Sequence, residues 1–290
     1  MFTGAMTAMV TPFRNGKVDE GRLREQVEYQ IAQGIDGLVP VGTTGESPTL
    51  DFAEHERVIS LTVEYARKRV PVIGGTGGNA TNEAMELHRH AKAAGCDACL
   101  SVNPYYNKPT QEGLYRHFMT LADAVDLPII LYNIPGRTGV TMTPQTVARL
   151  RGANPKLFVG IKEATGVIDM AGEIRSLCDI PIYSGDDSLT LSLMAVGAVG
   201  VVSVLSNLIP GEIRKMVHLA SEGRFKDATA IHHRLFPLMR AIFLDGNPVG
   251  IKWAMKVAGK DSGEMRLPLW EASEGTKKQI SELMGKLGLK

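Results

Sequence analysis

The chain has 290 residues, of which 44% are hydrophobic and 22% are charged, a composition typical of a globular protein. Its 32 Lys and Arg residues nearly balance 31 Asp and Glu residues, which excludes the basic field that attracts nucleic acid or an anionic membrane surface. The sequence begins "MFTGAMTAMVTPF" and contains neither a basic segment followed by an apolar run nor a long uncharged segment. We therefore expect a cytoplasmic protein whose partners are small molecules.

Short apolar runs alternate with longer amphipathic stretches from the N terminus to beyond Asn207. The runs that predict strands are, in chain order, "AMTAMV", "GLVPVG", "PVIGGT", "ACLSVNP", "PIILYNIP", "FVGIKEA", "PIYSG" and "GVVSVLS". Eight strand and helix units without long linkers favour an α/β fold of the closed (β/α)8 TIM barrel type over an open doubly wound sheet. The glycine-rich "GGTGGN" lacks the spacing of a dinucleotide-binding loop.

From about Gly223 onward the pattern is helical only, as in "FKDATAIHHRLFPLMRAIF" and "EGTKKQISELMGKLG". The sequence thus predicts a barrel over residues 1–222 and a C-terminal helical extension over residues 223–290.

Candidate metal ligands are few. Cys96 and Cys99 form a C-x-x-C pair, but the chain has no second pair at zinc-ligand spacing and Cys99 leads into a strand, so we interpret both as structural cysteines. His232 and His233 have no ligand partners at suitable spacing, and Asp187 suits a helix cap. We expect no metal and no cofactor.

In barrels of this kind, functional side chains collect at the carboxyl ends of the strands. "FVGIKEATG" places Lys162 at such an end, and strict alternation puts Phe158, Gly160 and Lys162 on one face, with Glu163 on the other in a structural role. The small Gly160 is then expected to leave clearance for an adduct on the lysine. An amine buried among apolar walls can attack a ketone to form a Schiff base.

Schiff-base chemistry also needs a proton carrier, and a phenol both donates and accepts. Tyr132 ends the preceding strand, so we expect it beside Lys162. The alternative for Lys162 is a strand-end cation that reaches water, and the alternative for Tyr132 is a core tyrosine with a satisfied hydroxyl.

Seven motifs, in order over nearly the whole chain, carry a resemblance to a known family: "GTTGES", "YYNKPTQEGLY", "LYNIPGRTG", "GIKEATG", "SGDD", "NPVGIKWA" and "RLPL". The sequence resembles the pyruvate-dependent class I aldolases of the dihydrodipicolinate synthase type. That resemblance implies Lys162 as the Schiff-base residue and a proton relay of Tyr132, Thr43 and Tyr106, the last from a neighbouring subunit.

The resemblance also implies the substrates pyruvate and L-aspartate 4-semialdehyde, and a product, 4-hydroxy-tetrahydrodipicolinate, on the route to diaminopimelate and lysine. It implies Thr44 for the pyruvate carboxylate and backbone groups near Gly185 and Val202 at the border of the pocket. Arg137, just beyond the strand that carries Tyr132, suits bidentate binding of the semialdehyde carboxylate.

Many members of that family are homotetramers that lysine inhibits at a subunit interface. The positions that match such an effector site are His55, Asn79, Glu83 and Tyr105, whereas Pro48 and Phe52 depart from the pattern of strongly inhibited members. The resemblance therefore implies a homotetramer and raises lysine as an effector.

Three rival hypotheses stay open at the level of the sequence. The first is a sialic-acid or other sugar-acid lyase of the same superfamily, which typically lacks the "GRT" form around Arg137. The second is a phosphate-binding barrel isomerase, for which "AVGAVGVVSV" offers glycines but no convincing anion loop. The third is a barrel that binds a keto acid or a partner without turnover.

Overall fold

The computed structural model describes residues 2–289 and contains a ring of eight parallel strands. The strands in chain order are β1 (Gly4–Ala8), β2 (Phe13–Arg14), β3 (Lys17–Val18), β4 (Gly37–Val39), β5 (Ile73–Gly75), β6 (Ala98–Val102), β7 (Ile129–Asn133), β8 (Phe158–Glu163), β9 (Ile182–Ser184) and β10 (Gly200–Ser203). The ring has the order β4-β1-β10-β9-β8-β7-β6-β5, and a parallel bridge between Leu38 and Val72 closes it. The predicted TIM barrel and its eight strands are confirmed; the sequence did not predict the hairpin of β2 and β3.

Helices follow the barrel strands, and the last three of them form the C-terminal extension. They are α1 (Glu20–Ala32), α2 (Phe52–Ala66), α3 (Thr81–Ala94), α4 (Gln111–Ala124), α5 (Pro135–Thr138), α6 (Pro144–Ala153), α7 (Ile168–Leu177), α8 (Thr190–Ala195), α9 (Pro210–Ser221), α10 (Phe225–Ala241), α11 (Val249–Val257) and α12 (Glu274–Lys286). Local signals set their ends: Asp51 and Glu54 form a capping box at the start of α2, and α3 ends at Gly95 with φ 89°. None of the helices formed by residues 2–289 has the length and apolarity needed to cross a membrane.

The inside of the ring is filled by side chains, which we call the barrel-interior cluster: Met6, Ala8, Val39, Ile73, Ala98, Leu100, Ile130, Tyr132, Tyr183 and Val202. Two further apolar clusters lie between the strands and the surrounding helices. Because the ring is packed through its middle, space for a ligand is found at the ends of the strands.

Strand β8 departs from strict alternation at Val159. Ile129 pairs with Phe158, but the next residue of β7 pairs with Gly160, so Val159 is an extra residue of the bulge type. Phe158 consequently packs between strands and helices, while Val159 packs against the barrel-interior cluster. The predicted common face of Phe158, Gly160 and Lys162 is wrong for Phe158, because the bulge reverses the faces before it.

The C-terminal helices α10 to α12 share one apolar cluster with the barrel helices. Leu238, Met255 and Ile280 come from the extension, and Val27 and Ile213 come from α1 and α9. The extension therefore continues the core of the barrel, and the boundary between residues 222 and 223 stays a prediction.

Candidate active site

A cavity of about 600 Å³ opens at the carboxyl ends of the barrel strands, between the loops that follow β4, β5, β6 and β7. Four residues predicted for the site line this cavity: Thr43, Tyr106, Tyr132 and Arg137. The cavity lies at the end of the barrel where such folds carry their function.

Lys162 lies beside Tyr132, which lines the cavity, although Lys162 is not itself among the lining residues. Their Cα atoms are register partners on β8 and β7, and Lys162 Nζ is 4.2 Å from the centroid of the Tyr132 ring. Lys162 is 5% exposed, and among residues 2–289 no carboxylate lies within ion-pair distance of its amine. An amine in apolar surroundings without a carboxylate partner suits nucleophilic attack on a carbonyl.

The space beside Lys162 comes from Gly185. A Cβ atom at Gly185 would lie 3.2 Å from Lys162 Cε and 2.5 Å from Ala164 Cβ. A Cβ atom at Gly160 would instead meet Tyr183 Cε2 at 2.5 Å. The prediction that Gly160 clears space for the imine is therefore wrong, because its missing side chain accommodates the Tyr183 ring.

The loop after β4 presents Thr43 and Thr44 from a strained turn. Val41 has φ 49° and Glu46 has φ 56°, and this left-handed region is unfavourable, above all for a β-branched residue. Thr43 lines the cavity, whereas Thr44 is buried and its Oγ1 accepts a hydrogen bond from Asn247 Nδ2 at 3.0 Å.

Asn247 connects two of the predicted substrate-binding residues. Its side chain reaches Thr44, and its backbone carbonyl accepts a hydrogen bond from Arg137 Nη2 at 3.0 Å. The motif "NPVGIKWA" contains Asn247, but nothing in the sequence shows that it lies between Thr44 and Arg137.

A buried ion pair connects the loop after β4 to helix α11. Glu46 pairs with Lys252 of α11, and both side chains are fully buried. Lys252 Nζ also donates to the Glu264 carbonyl at 2.7 Å, and Glu46 Oε2 accepts from Arg266 N at 3.1 Å. Burial lowers the pKa of Lys252, and the charge of Glu46 opposes this effect. The sequence did not indicate this pair.

The predicted border residue Val202 belongs to the barrel-interior cluster. Asp187 lies in the loop that follows β9. The carboxylate of Asp187 accepts a hydrogen bond from Val204 N at 2.9 Å and so joins the loops after β9 and β10. The neighbouring Asp186 accepts from Ser188 N at 2.7 Å and caps the following turn. The prediction that Asp187 is the cap is therefore wrong.

Tyr106 is 88% exposed although it lines the cavity. Its backbone has φ 72°, and its N–H donates to the Thr138 carbonyl at 3.4 Å. The Tyr106 side chain is therefore presented to solvent from a left-handed backbone.

The four residues matched to an effector site are His55 in α2, Asn79 before α3, Glu83 in α3 and Tyr105 after β6. Tyr105 lines the cavity, and burial, with a smaller contribution from the charge of Glu83, raises its pKa. Asn107 Nδ2 donates to the Asn79 carbonyl at 2.8 Å. His55 is buried, which lowers its pKa to about 4, and within residues 2–289 neither of its ring nitrogens has a hydrogen-bond partner.

Cys96 and Cys99 are buried free thiols. Burial raises the pKa of Cys96 to about 12 and raises that of Cys99 as well, so neither is a reactive thiolate. This fits the structural role expected for them. The part of the chain from residue 2 to residue 289 contains no group of three or more His, Cys, Asp or Glu side chains that could hold a metal ion.

Comparisons with known proteins agree over the full chain. The sequence model of the dihydrodipicolinate synthetase family matches residues 1–287. The 4-hydroxy-tetrahydrodipicolinate synthase of Geotalea uraniireducens is 52% identical over 291 residues, which cover 100% of both chains. A crystal structure of dihydrodipicolinate synthase from Aquifex aeolicus is 45% identical with a TM-score of 0.97, covering 99% of each chain. The enzyme from Cyanidioschyzon merolae, solved with lysine bound, is 38% identical with a TM-score of 0.96, covering 100% of this chain and 99% of that one.

Proposed function

Because the chain belongs to the dihydrodipicolinate synthetase family, we propose that it condenses pyruvate with L-aspartate 4-semialdehyde through a Schiff base on Lys162. The product is 4-hydroxy-tetrahydrodipicolinate, and the enzyme is a lyase of the class I aldolase type in the diaminopimelate route to lysine. The observation that carries the proposal is the buried Lys162 amine, 4.2 Å from the centroid of the Tyr132 ring and without a carboxylate partner among residues 2–289.

In the first step, Lys162 Nζ attacks the keto carbon of pyruvate. The keto oxygen leaves as water, and the Tyr132 phenol supplies the proton that this departure needs. Thr43, which lines the cavity together with Tyr132, and the Tyr106 side chain contributed by a neighbouring subunit pass protons between the phenol and solvent. Thr44 Oγ1 already accepts a hydrogen bond from Asn247, so its own O–H is available to donate to the pyruvate carboxylate.

In the second step, the imine loses a proton from the pyruvate methyl carbon and becomes an enamine. That carbon forms a bond to the aldehyde carbon of the semialdehyde, and the aldehyde oxygen takes up a proton. Arg137 binds the semialdehyde carboxylate. One nitrogen of its guanidinium donates to the Asn247 carbonyl. Its other N–H groups make no side-chain hydrogen bond within residues 2–289 and suit a bidentate contact.

In the last step, the amino group of the semialdehyde portion attacks the imine carbon. The new carbon–nitrogen bond closes the ring while the bond to Lys162 Nζ breaks, and the released amine takes up a proton. Backbone groups near Gly185 and Val202 border the pocket, and the absence of a side chain at Gly185 leaves room beside Lys162 Cε.

A neighbouring subunit is part of this proposal, because Tyr106 is 88% exposed on its own chain and serves the site of a partner in a homotetramer. Lysine is proposed as an effector bound near His55, Asn79, Glu83 and Tyr105. The support for the effector is the related enzyme from Cyanidioschyzon merolae that was solved with lysine bound.

Borohydride reduction in the presence of pyruvate, followed by peptide mass analysis, tests the central claim. We expect one stable adduct, on the peptide that contains Lys162, and none in a Lys162→Arg variant, which keeps the charge. An adduct on another lysine, or no adduct, would overturn the mechanism. Rapid cleavage of a sugar acid with no turnover of the semialdehyde would support the sugar-acid lyase instead.

A further inference from the structure

A row of three buried polar side chains lies directly beyond the reacting pair. Asn103, Asn133 and Glu163 follow β6, end β7 and end β8, and all three are buried. Asn133 and Glu163 are register partners, one position after the partners Tyr132 and Lys162. Since side chains alternate along a strand, this row faces away from the barrel interior while the reacting pair faces into it.

Asn133 is the centre of this row and uses all of its hydrogen-bonding capacity. Its Nδ2 donates to Glu163 Oε2 at 3.2 Å and to the Met142 carbonyl at 3.1 Å. Its Oδ1 accepts from Met142 N at 3.0 Å and from Asn103 Nδ2 at 3.1 Å. One fully buried amide therefore joins three strand ends and the end of a loop.

The loop in question, residues 134–141, carries Arg137. It is held together internally, since Gly139 N donates to the Pro135 carbonyl at 2.9 Å and Thr138 Oγ1 donates to the Val140 carbonyl at 2.9 Å. Asn133 begins this loop and clamps its far end at Met142. Asn133 is thus bonded to the chain on both sides of this segment.

Glu163 connects Asn133 to the end of β8. Its Oε2 accepts from Asn133, and its Oε1 accepts from Thr165 N at 2.6 Å. The backbone adds to this connection, because Ala164 N donates to the Asn133 carbonyl at 3.0 Å. The residue that follows Lys162 is thus fixed to the residue that follows Tyr132.

We propose that Asn133 is a positioning residue, which sets the Lys162 and Tyr132 pair and the Arg137 loop in a single geometry. The inference rests on the proposed function and deepens it, because it names the group that aligns the site for the keto acid with the site for the second substrate. Asn133 acts through its neighbours and does not touch either substrate.

Steady-state kinetics of Asn133→Ala and Asn133→Asp test this role. The alanine variant loses all four side-chain hydrogen bonds, and the aspartate variant keeps the shape but sets an acceptor against Glu163 and the Met142 carbonyl. Small misplacements of reacting groups lower rates about 100-fold. We therefore expect kcat/KM for the semialdehyde to fall by about that factor, through both a lower kcat and a higher KM, at temperatures where circular dichroism shows folded protein.

Asn207→Ala is the matched control, because Asn207, four residues after the end of β10, is also a buried asparagine whose side chain bonds to backbone groups. It accepts from Val10 N at 3.0 Å and donates to the Ala8 carbonyl at 2.7 Å, remote in the chain from the Arg137 loop. We expect it to lower Tm while KM for the semialdehyde stays within about twofold of the wild type. Asn133 variants that behave like this control would overturn the inference; if Asn133→Ala does not fold, Asn133→Asp decides by the same criterion. Absence of an imine in the wild type would instead count against the proposed function.

Discussion

Lys162 and Lys252 are both buried, and each holds its side-chain nitrogen over an aromatic ring, 4.2 Å from the centroid of Tyr132 and 4.4 Å from that of Phe13. They differ in their anionic partners. Lys252 is paired with the equally buried Glu46, whereas within residues 2–289 Lys162 has no carboxylate at ion-pair distance.

The comparison shows that burial alone does not assign a role to a lysine. Removing one partner of a buried ion pair is strongly destabilising, so a lysine paired with a carboxylate in the interior has a structural role. An amine without such a partner is free to form a covalent bond with a substrate carbonyl. The two lysines are connected, because Glu46 belongs to the loop that presents Thr43 and Thr44, so the structural lysine supports the site of the reactive one.

Replacing Lys162 by methionine gives the largest expected effect on turnover. The variant has no amine for the imine, so kcat should fall by about 10³-fold or more, as for loss of other covalent nucleophiles. Its Tm should stay the same or rise, because an unpaired buried amine is replaced by an apolar chain of similar length. A coupled assay and thermal unfolding measure both. Turnover within about tenfold of the wild type would contradict the covalent role of Lys162.

Replacing Lys252 by methionine should show the opposite pattern. Glu46 would be left buried without its partner, and breaking such a pair lowers the free energy of unfolding by about 3–5 kcal/mol. The folded fraction should still form the borohydride-trapped adduct on Lys162. Urea unfolding measures the loss, and the double variant Glu46→Gln with Lys252→Met should recover most of it. Equal stability of the Lys252→Met variant and the wild type would show that the ion pair does not stabilise the fold.

The pattern of the sequence was sufficient to predict the barrel and the position of Lys162 beside Tyr132. Eight apolar runs predicted the strands, and the position of Lys162 at a strand end, after the strand that carries Tyr132, predicted the contact seen between them. Both signals are local or lie on consecutive strands, where the fold itself fixes the neighbours.

What the sequence did not predict depends on contacts between distant segments. Glu46 and Lys252 are more than two hundred positions apart, and no periodicity connects them. The role given to Gly160 was wrong for a related reason, because Tyr183 on the neighbouring strand β9 fills its space. The bulge at Val159 leaves no trace in the alternation of apolar residues, since Phe158 and Val159 are both apolar.

The Arg137→Ala variant distinguishes imine formation on Lys162 from the later condensation with the semialdehyde. The guanidinium lines the cavity but does not contact Lys162 through any hydrogen bond in the described residues. Imine formation with pyruvate should therefore continue. Loss of a charged hydrogen-bond partner costs about 2–3 kcal/mol, so kcat/KM for the semialdehyde should fall roughly 30- to 160-fold. Equal losses in trapping and condensation would contradict the assignment of Arg137 to the second substrate.

Three buried histidines limit the pH range in which the two lysine variants can be compared. Burial lowers the pKa values of His55, His88 and His117 to about 4 from an ordinary value of 6.5. All three are therefore neutral in the folded protein at neutral pH.

Stability should consequently decline on the acid side of pH 6.5. Above that pH the histidines are neutral in both states, and their contribution to stability is complete. As the pH falls from 6.5 towards 4, the unfolded chain binds protons that the folded chain does not, and each histidine lowers the free energy of unfolding by up to about 1.4 kcal/mol per pH unit. Urea unfolding at pH 7.5, 6 and 5 measures this slope. His117→Asn removes one titrating group and should make it shallower; an unchanged slope would exclude His117 as a source of the acid sensitivity.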